Sequence, residues 1–203
     1  TAKAAWVFKV KNIDFDKLNF KYDKLDAPKN TTPGALDFNH MNIADIRLQA
    51  RDVGYYTDSI LVDLNEFTFK DKSGFAIKRF QGELLYSDKI ISLKDLLLQT
   101  NKSRLASEVI VEVPSWATIK DNIDQLRVNA VLENTHIDLP EIAKLLPDLQ
   151  KNPSLRPIFK KIIDANGRVT GSMQRLQVNE LNVADNNGSK LYITGVVQNA
   201  TDP

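Results

Sequence analysis

The sequence contains no cysteine, which excludes a disulfide framework and any thiolate metal site. It has no excess of either charge. Twenty-seven Lys and Arg stand against 26 Asp and Glu, a net charge of +1, so the chain lacks the electrostatic footprint of a nucleic-acid or anionic-membrane binder. No apolar run approaches the ~20 residues of a membrane-spanning helix, and no signal peptide is present. The eight glycines do not cluster, so no phosphate-cradling loop is formed, and HExxH, GxSxG and SxxK are absent. What is present is 42% hydrophobic content in 203 residues, enough to bury a sizeable core. The chain begins at Thr1 without Met and is expected to be a segment of something longer, separated from any anchor or targeting signal.

The hydrophobic residues follow one recurring rhythm, h-x-h-x-x-h-x-h, with h apolar. It runs through Ile13, Phe15, Leu18 and Phe20; Met41, Ile43, Ile46 and Leu48; Val62, Leu64, Phe67 and Phe69; Ile91, Leu93, Leu96 and Leu98; and Leu176, Val178, Leu181 and Val183. A weaker sixth copy is Phe75, Ile77, Phe80 and Gly82. Alternation signals a strand with one buried face. A skip of two would turn the apolar set to the other face, and one extra bulged residue restores it while bending the strand. The rhythm therefore predicts strands with a recurring bulge in a curved sheet. An acid precedes the third apolar place in four copies (Asp45, Glu66, Asp95, Glu180), with Lys17 in the first. These acids are expected at the bulges, accepting loose N–H groups.

Between the bulged strands lie regular ones, such as Leu105, Ser107, Val109, Val111 and Val113, or Leu191, Ile193, Gly195 and Val197. Ser73-Gly74 and Asn187-Gly188 supply turn chemistry. The expectation is a mainly β chain, a curved antiparallel meander of about ten strands forming a taco-like groove with an apolar interior. Two or three short helices are expected beside it. Asp138 and Glu141 have capping-box spacing before Ile142, Leu145, Leu146 and Leu149, with Pro147 cutting the helix short. A second helix is expected from Ser154 through Leu155, Ile158, Phe159 and Ile162, ended by Asn166-Gly167, and a shorter turn after Ser115. Asp26 to Gly34 reads as a loop. The whole, 1–203, reads as one elongated unit: a first sheet part at 1–113, a strand with helical inserts at 114–167 and a final hairpin at 168–203.

Candidate chemistry is sparse. His40 and His136 lie far apart in sequence and read as surface or turn histidines, not metal ligands. Asp14 and Asp16 flank Phe15 on the polar side of a strand, where solvated acids are the ordinary reading. Trp6, Phe8, Phe15, Phe20, Phe67, Phe69, Phe75 and Phe80 lack basic interleaving, so core packing outranks nucleic-acid stacking. No catalytic residue, metal site or cofactor is expected. The apolar face itself is left, and the pattern leaves open a filled core, a closed barrel or an open trough.

The phrases AWVFKVKNIDFDKLNFKYDKL, GALDFNHMNIADIRLQARDVGY, FTFKDKSGFAIKRFQGELLYSDKIISLKDLLLQTNKSRL, HIDLPEIAKLLPDL and GRVTGSMQRLQVNELNVADNNGSKLYITGVV, in that order, resemble TamB-type translocation and assembly module proteins of Bacteroidota, within the AsmA-like group. The resemblance covers nearly the whole chain. It implies a periplasmic segment of a large protein anchored in the inner membrane by an N-terminal helix, rolled into a taco-like groove. It implies phospholipid transport towards the outer membrane, or assistance in outer-membrane protein assembly, together with a TamA-type barrel. The implied partners are phospholipid or acyl chains and nascent outer-membrane proteins. The groove lining is then expected at Val62, Leu64, Phe67, Phe69, Ile91, Leu93, Leu96, Leu98, Leu176, Val178, Leu181 and Val183, with Ile142, Leu145 or Phe159 available to plug it. Rival readings are a strand-pairing chaperone and a structural strut with a filled core.

Overall fold

The computed structural model describes residues 7–30, 35–115, 123–145 and 157–199. Strands β1 (Phe8–Lys21), β2 (Asn42–Tyr55), β3 (Ser59–Asp71), the short β4 (Ala76–Ile77), β5 (Arg79–Ser87), β6 (Ile90–Gln99) and β7 (Arg104–Glu112) are followed by β8 (Arg127–Asp138). Helix α1 (Leu139–Leu145) then leads, beyond residues not described, to β9 (Ile162–Ser172), β10 (Arg175–Asp185) and β11 (Lys190–Gln198). All pair antiparallel in one sheet, each strand beside its sequence neighbour, with β4 a spur on β3. This is the expected meander. It does not close: among the described residues β1 pairs with β2 alone and β11 with β10 alone.

The recurring fault has a specific backbone form. Lys17, Asp45, Asp95 and Glu180 have φ of 57°, 55°, 48° and 47°, the left-handed region. At each, the register slips. Leu93 and Leu96 on β6 pair with Val109 and Ser107 on β7, three residues against two. Val178 and Leu181 on β10 likewise pair with Gly195 and Ile193 on β11. One left-handed residue adds the missing half-step, and the apolar side chains stay on one face. Glu66 differs: its φ is not positive, and β3 accommodates the extra residue between Leu64 and Glu66 against Ala50 and Gln49.

Two further copies are present. Asn134 (φ 44°) sits before Thr135 in Ala130-x-Leu132-x-x-Thr135-x-Ile137, and Asp52 (φ 49°) before Val53 in Leu48-x-Ala50-x-x-Val53-x-Tyr55. Thr135, 1% exposed, disguised the first copy; its hydroxyl donates to the Ala106 carbonyl at 3.2 Å. The weak copy at Phe75–Gly82 is corrected. The strand breaks at Lys78, separating β4 from β5, and no bulge forms.

At three bulges the N–H is satisfied by a side chain of the neighbouring strand, not by the acids. Asn19 Oδ1 on β1 accepts the Asp45 N–H at 3.3 Å, Asn166 Oδ1 on β9 accepts that of Asn134 at 2.6 Å, and Thr194 Oγ on β11 accepts that of Glu180 at 3.1 Å. In each case the acceptor lies opposite the bulge on the neighbouring strand. A short polar side chain suits Asp45, Asp52, Asp95 and Asn134 to the left-handed region, and the Asp45 carboxylate points elsewhere, to Lys70 at 3.1 Å.

The helical part is smaller than expected. Among the described residues it is α1 and single 3-10 turns at Ile123–Gln125 and Ile158–Lys160. Leu146, Leu149, Ser154 and Leu155 lie outside the described residues, as does most of the stretch after Ser115. Ile162 and Asn166-Gly167, expected in and after the second helix, belong to strand β9. Their role there is set by the neighbouring bulges rather than by turn chemistry.

Candidate apolar groove

Because paired residues share a face, the register lays out the apolar surface directly. One row crosses all ten strands of the path: Phe8, Tyr55, Ile60, Tyr86, Ile91, then Val111, Val128, Gly171, Leu176 and Val197. A second runs Val62, Leu84, Leu93, Val109, Ala130, Val169, Val178, Gly195. A third links Leu96, Ser107, Leu132 and Gly167 across β6 to β9, and beyond it Val183 pairs with Ala165 and Leu191. Phe67, with its ring centroid 5.6 Å from Phe69 and 6.4 Å from Phe80, starts an aromatic cluster that Phe75 completes at 6.1 Å from Phe69.

All twelve expected lining residues therefore lie on bulged strands of this face. Leu64, Phe69, Leu96 and Val178 are buried; Val62, Phe67, Ile91, Leu93, Leu98, Leu176, Leu181 and Val183 are half-buried. They are shielded by neighbours on the same face, since no second layer of strands covers them among the described residues. Sequence reasoning bet on bulged strands alone and missed the equal share of the regular ones. Leu84, Val109 and Val111 stand in the same rows, and their alternation was the available signal.

Two features of the face were invisible. Gly82 and Gly167 sit opposite the bulges at Asp95 and Glu180, with φ of 147° and 139°. A Cβ on Gly82 would meet Lys94 O at 2.9 Å, and one on Gly167 would meet Leu181 Cα at 2.6 Å. Ser107 is the polar interruption: it is 7% exposed, between Leu96 and Leu132, and its Oγ has no hydrogen-bond partner.

The two ends of the rows differ. At the Phe8–Val197 end, β2–β3, β5–β6 and β9–β10 are joined by short turns. At the other end stand α1, the 158–160 turn and the loop residues 22–30 and 35–41. Helix α1 packs on that turn and on β8 and β9. Ile142, Leu145 and Phe159, expected as a plug, belong to this end and are half-buried there. Asp138 caps α1 by accepting the Glu141 N–H at 2.8 Å. The Glu141 carboxylate does not return to Asp138, as a capping box would have it. It accepts from the Thr100 and Ser103 hydroxyls, the latter at 2.8 Å, and from the Lys102 N–H at 3.2 Å, which ties α1 to the β6–β7 turn.

His40 is not a surface histidine. It is 3% exposed, with Nδ1 against the Asp23 carboxylate and Nε2 2.9 Å from the Ala27 carbonyl. Both partners accept, so both ring nitrogens carry protons. The Asp23 hydrogen bond raises the His40 pKa, against burial, and that same bond lowers the pKa of Asp23. The Asp37 carboxyl is lowered chiefly by the Asn30 N–H at 2.7 Å, aided by Asn39 at 3.1 Å. His136, half-buried, pairs with the exposed Asp164 at 2.6 Å on β8 and β9, so the two histidines do not converge.

No protein-family model, curated protein or solved structure matches the chain.

Proposed function

We propose that the chain is a groove segment of the TamB type that carries phospholipid acyl chains between the inner and outer membranes of a bacterial envelope, in the periplasm. The observation that supports this reading is the apolar row across ten strands, with no covering layer of strands among the described residues. A groove that repeats the same side-chain chemistry strand after strand offers a lipid no single deep well. Each acyl CH₂ moved from water onto it gains about 0.8 kcal/mol, and the gain is similar at every step, so a chain slides with small barriers. The work is passive. In this reading an inner-membrane anchor and a TamA-type barrel belong to the full-length protein.

The test is native mass spectrometry of the chain purified from a bacterial periplasm, with lipid extraction of the same sample. Near-stoichiometric phospholipid is expected, and Leu93→Asp or Leu176→Asp should remove it while the fold persists. Both side chains are only half-buried. Leu96, 6% exposed and packed beside Gly82, would report on folding instead. A lipid-free mass in the unsubstituted chain would sink the proposal.

A second reading is favoured by one observation, that among the described residues β1 and β11 each pair with a single strand. Strand addition to an edge by a nascent outer-membrane protein would make the chain an assembly chaperone. An unfolded outer-membrane strand competing for β1 or β11, with no lipid bound, is the outcome that separates it.

A further inference from the structure

The dipeptide Asn-Gly occurs twice, at Asn166-Gly167 and Asn187-Gly188. It is the pair most open to a reaction of the chain with itself. The asparagine carboxamide carbon can close a five-membered ring on the next residue's backbone nitrogen, and glycine has no Cβ to shield that nitrogen or restrict its approach. As sequence the two copies are equal. Their places in the fold are not.

Asn166 is in the interior of β9, paired with β8 on one side and with β10 on the other. Its Oδ1 accepts the Asn134 N–H at 2.6 Å, which fixes the carboxamide on the β8 bulge. Gly167 is backed by main chain, with Leu181 Cα 2.6 Å from where a Cβ would lie. Ring closure there needs β9 to leave the sheet, an opening close to global unfolding.

Asn187 and Gly188 are exposed in the turn between β10 and β11. The Asn187 carboxamide has no hydrogen-bond partner among the described residues. A Cβ on Gly188 would meet nothing within 4 Å, so the space beside the glycine is open. Asp185 closes the turn. Its carbonyl accepts the Gly188 N–H at 3.1 Å, and its Oδ1 accepts the N–H groups of Asn187 at 3.0 Å and Ser189 at 2.9 Å. Freeing the Gly188 nitrogen breaks a few exposed hydrogen bonds at a hairpin end and leaves the ladder intact, which is the low end of the scale of local openings. The exposure comes from the ends of two strands, not from the outer side of β11.

We propose that Asn187 is a site of spontaneous modification through a succinimide, and that folding spares Asn166. With the turn open, the Gly188 nitrogen gives its proton to hydroxide and attacks Asn187 Cγ. The new N–C bond forms, the Cγ–Nδ2 bond breaks, and Nδ2 takes a proton from water and leaves as ammonia. Water then opens the ring at either carbonyl, which gives aspartate or isoaspartate. In isoaspartate the main chain runs through the former side chain and is one carbon longer. That carbon falls in a turn clasped to β9 by Asn186, whose N–H donates to the Ile162 carbonyl and whose Oδ1 accepts the Ile162 N–H, both at 3.1 Å.

The test is peptide mapping by mass spectrometry of the folded chain aged at mildly alkaline pH, with a fresh sample digested alongside. The peptide holding Asn187 is expected to gain the mass of amide-to-acid conversion and to split on the column into aspartate and isoaspartate forms. The peptide holding Asn166 should stay unchanged while the chain is folded, and should react alongside that of Asn187 once guanidinium unfolds it. Asp185→Ala takes the acceptor from the Asn187 and Ser189 N–H groups and should hasten the loss of Asn187. Loss of Asn187 in the unfolded chain but not in the folded one would overturn the proposal, as would equal loss at the two sites in the folded chain. An unchanged rate in Asp185→Ala would overturn turn opening as the controlling step. No lipid enters the experiment, so no outcome bears on acyl-chain binding.

Discussion

The Thr194 hydroxyl on β11 accepts the N–H of Glu180 on β10 at 3.1 Å, at a residue whose φ is 47°. Without it the N–H of a bulge loses the partner the ladder no longer provides. Thr194→Val should cost about 1 kcal/mol, the usual worth of one such bond. Glu180→Gly should act the other way. Relief of about 1–2 kcal/mol of left-handed strain outweighs the 0.5–1 kcal/mol or so of extra unfolded-state freedom that glycine brings. Urea unfolding of the two variants checks the pair; a destabilised Glu180→Gly would mean that the side chain, not the backbone, holds the bulge.

Gly167 and Gly82 make a sharper case, since each faces the backbone of a bulge rather than a flexible side chain. Gly167→Ala combines an unfavourable φ of 139° with a Cβ 2.6 Å from Leu181 Cα, and a loss of about 3 kcal/mol is expected. Gly74→Ala is the control. Its φ is 90° but no atom lies within 4 Å, so strain alone of about 1 kcal/mol remains. Equal losses at the two sites would show that the close approach is absent in solution.

The strands and their bulges were legible because a skipped beat in an alternating pattern has few physical solutions. Five copies gave both the sheet and its apolar face. The Ala130–Ile137 copy was hidden because a threonine that donates to a main-chain carbonyl can stand where an apolar residue is expected. Asn166-Gly167 was misread because turn residues are also what a strand needs beside a bulge: one supplies an acceptor, the other the missing Cβ. The His40–Asp23 pair was beyond reach for another reason. It joins residues 17 positions apart through a loop whose path no periodicity encodes.

That pair sets a pH dependence. The Asp23 carboxylate holds the His40 pKa above its ordinary 6.5 in the folded chain. Its contribution is fully present below the ordinary value and is lost as pH rises through the raised one. Asp23 has a lowered pKa and contributes above its ordinary 3.8, a contribution lost only as pH falls through the lowered value. The melting temperature should therefore decline from pH 6 towards pH 9, and the decline should flatten in His40→Gln. Parallel pH profiles for the two proteins would show that the ring is not charged in the fold.

Helix α1 is seven residues long, too short to persist by its own hydrogen bonds, so its place depends on what holds it. Glu141, 6% exposed, is the chief tether, accepting from two hydroxyls and one N–H of the β6–β7 turn. Removing it takes the acceptor from those donors and loosens the Ser103 and Thr100 hydroxyls, which themselves accept the Asp138 and Ser103 N–H groups. Bonds to a charged acceptor are worth about 1.5–3 kcal/mol each, less where water replaces them, so Glu141→Ala should cost about 3 kcal/mol overall. The loss should be local. Amide hydrogen exchange is expected to rise in 139–145 and 100–103, while Val109 and Ala130, central in the second apolar row, keep their protection. If exchange rises through the sheet as well, the helix end is part of the cooperative core rather than a cover fastened to one end of the groove.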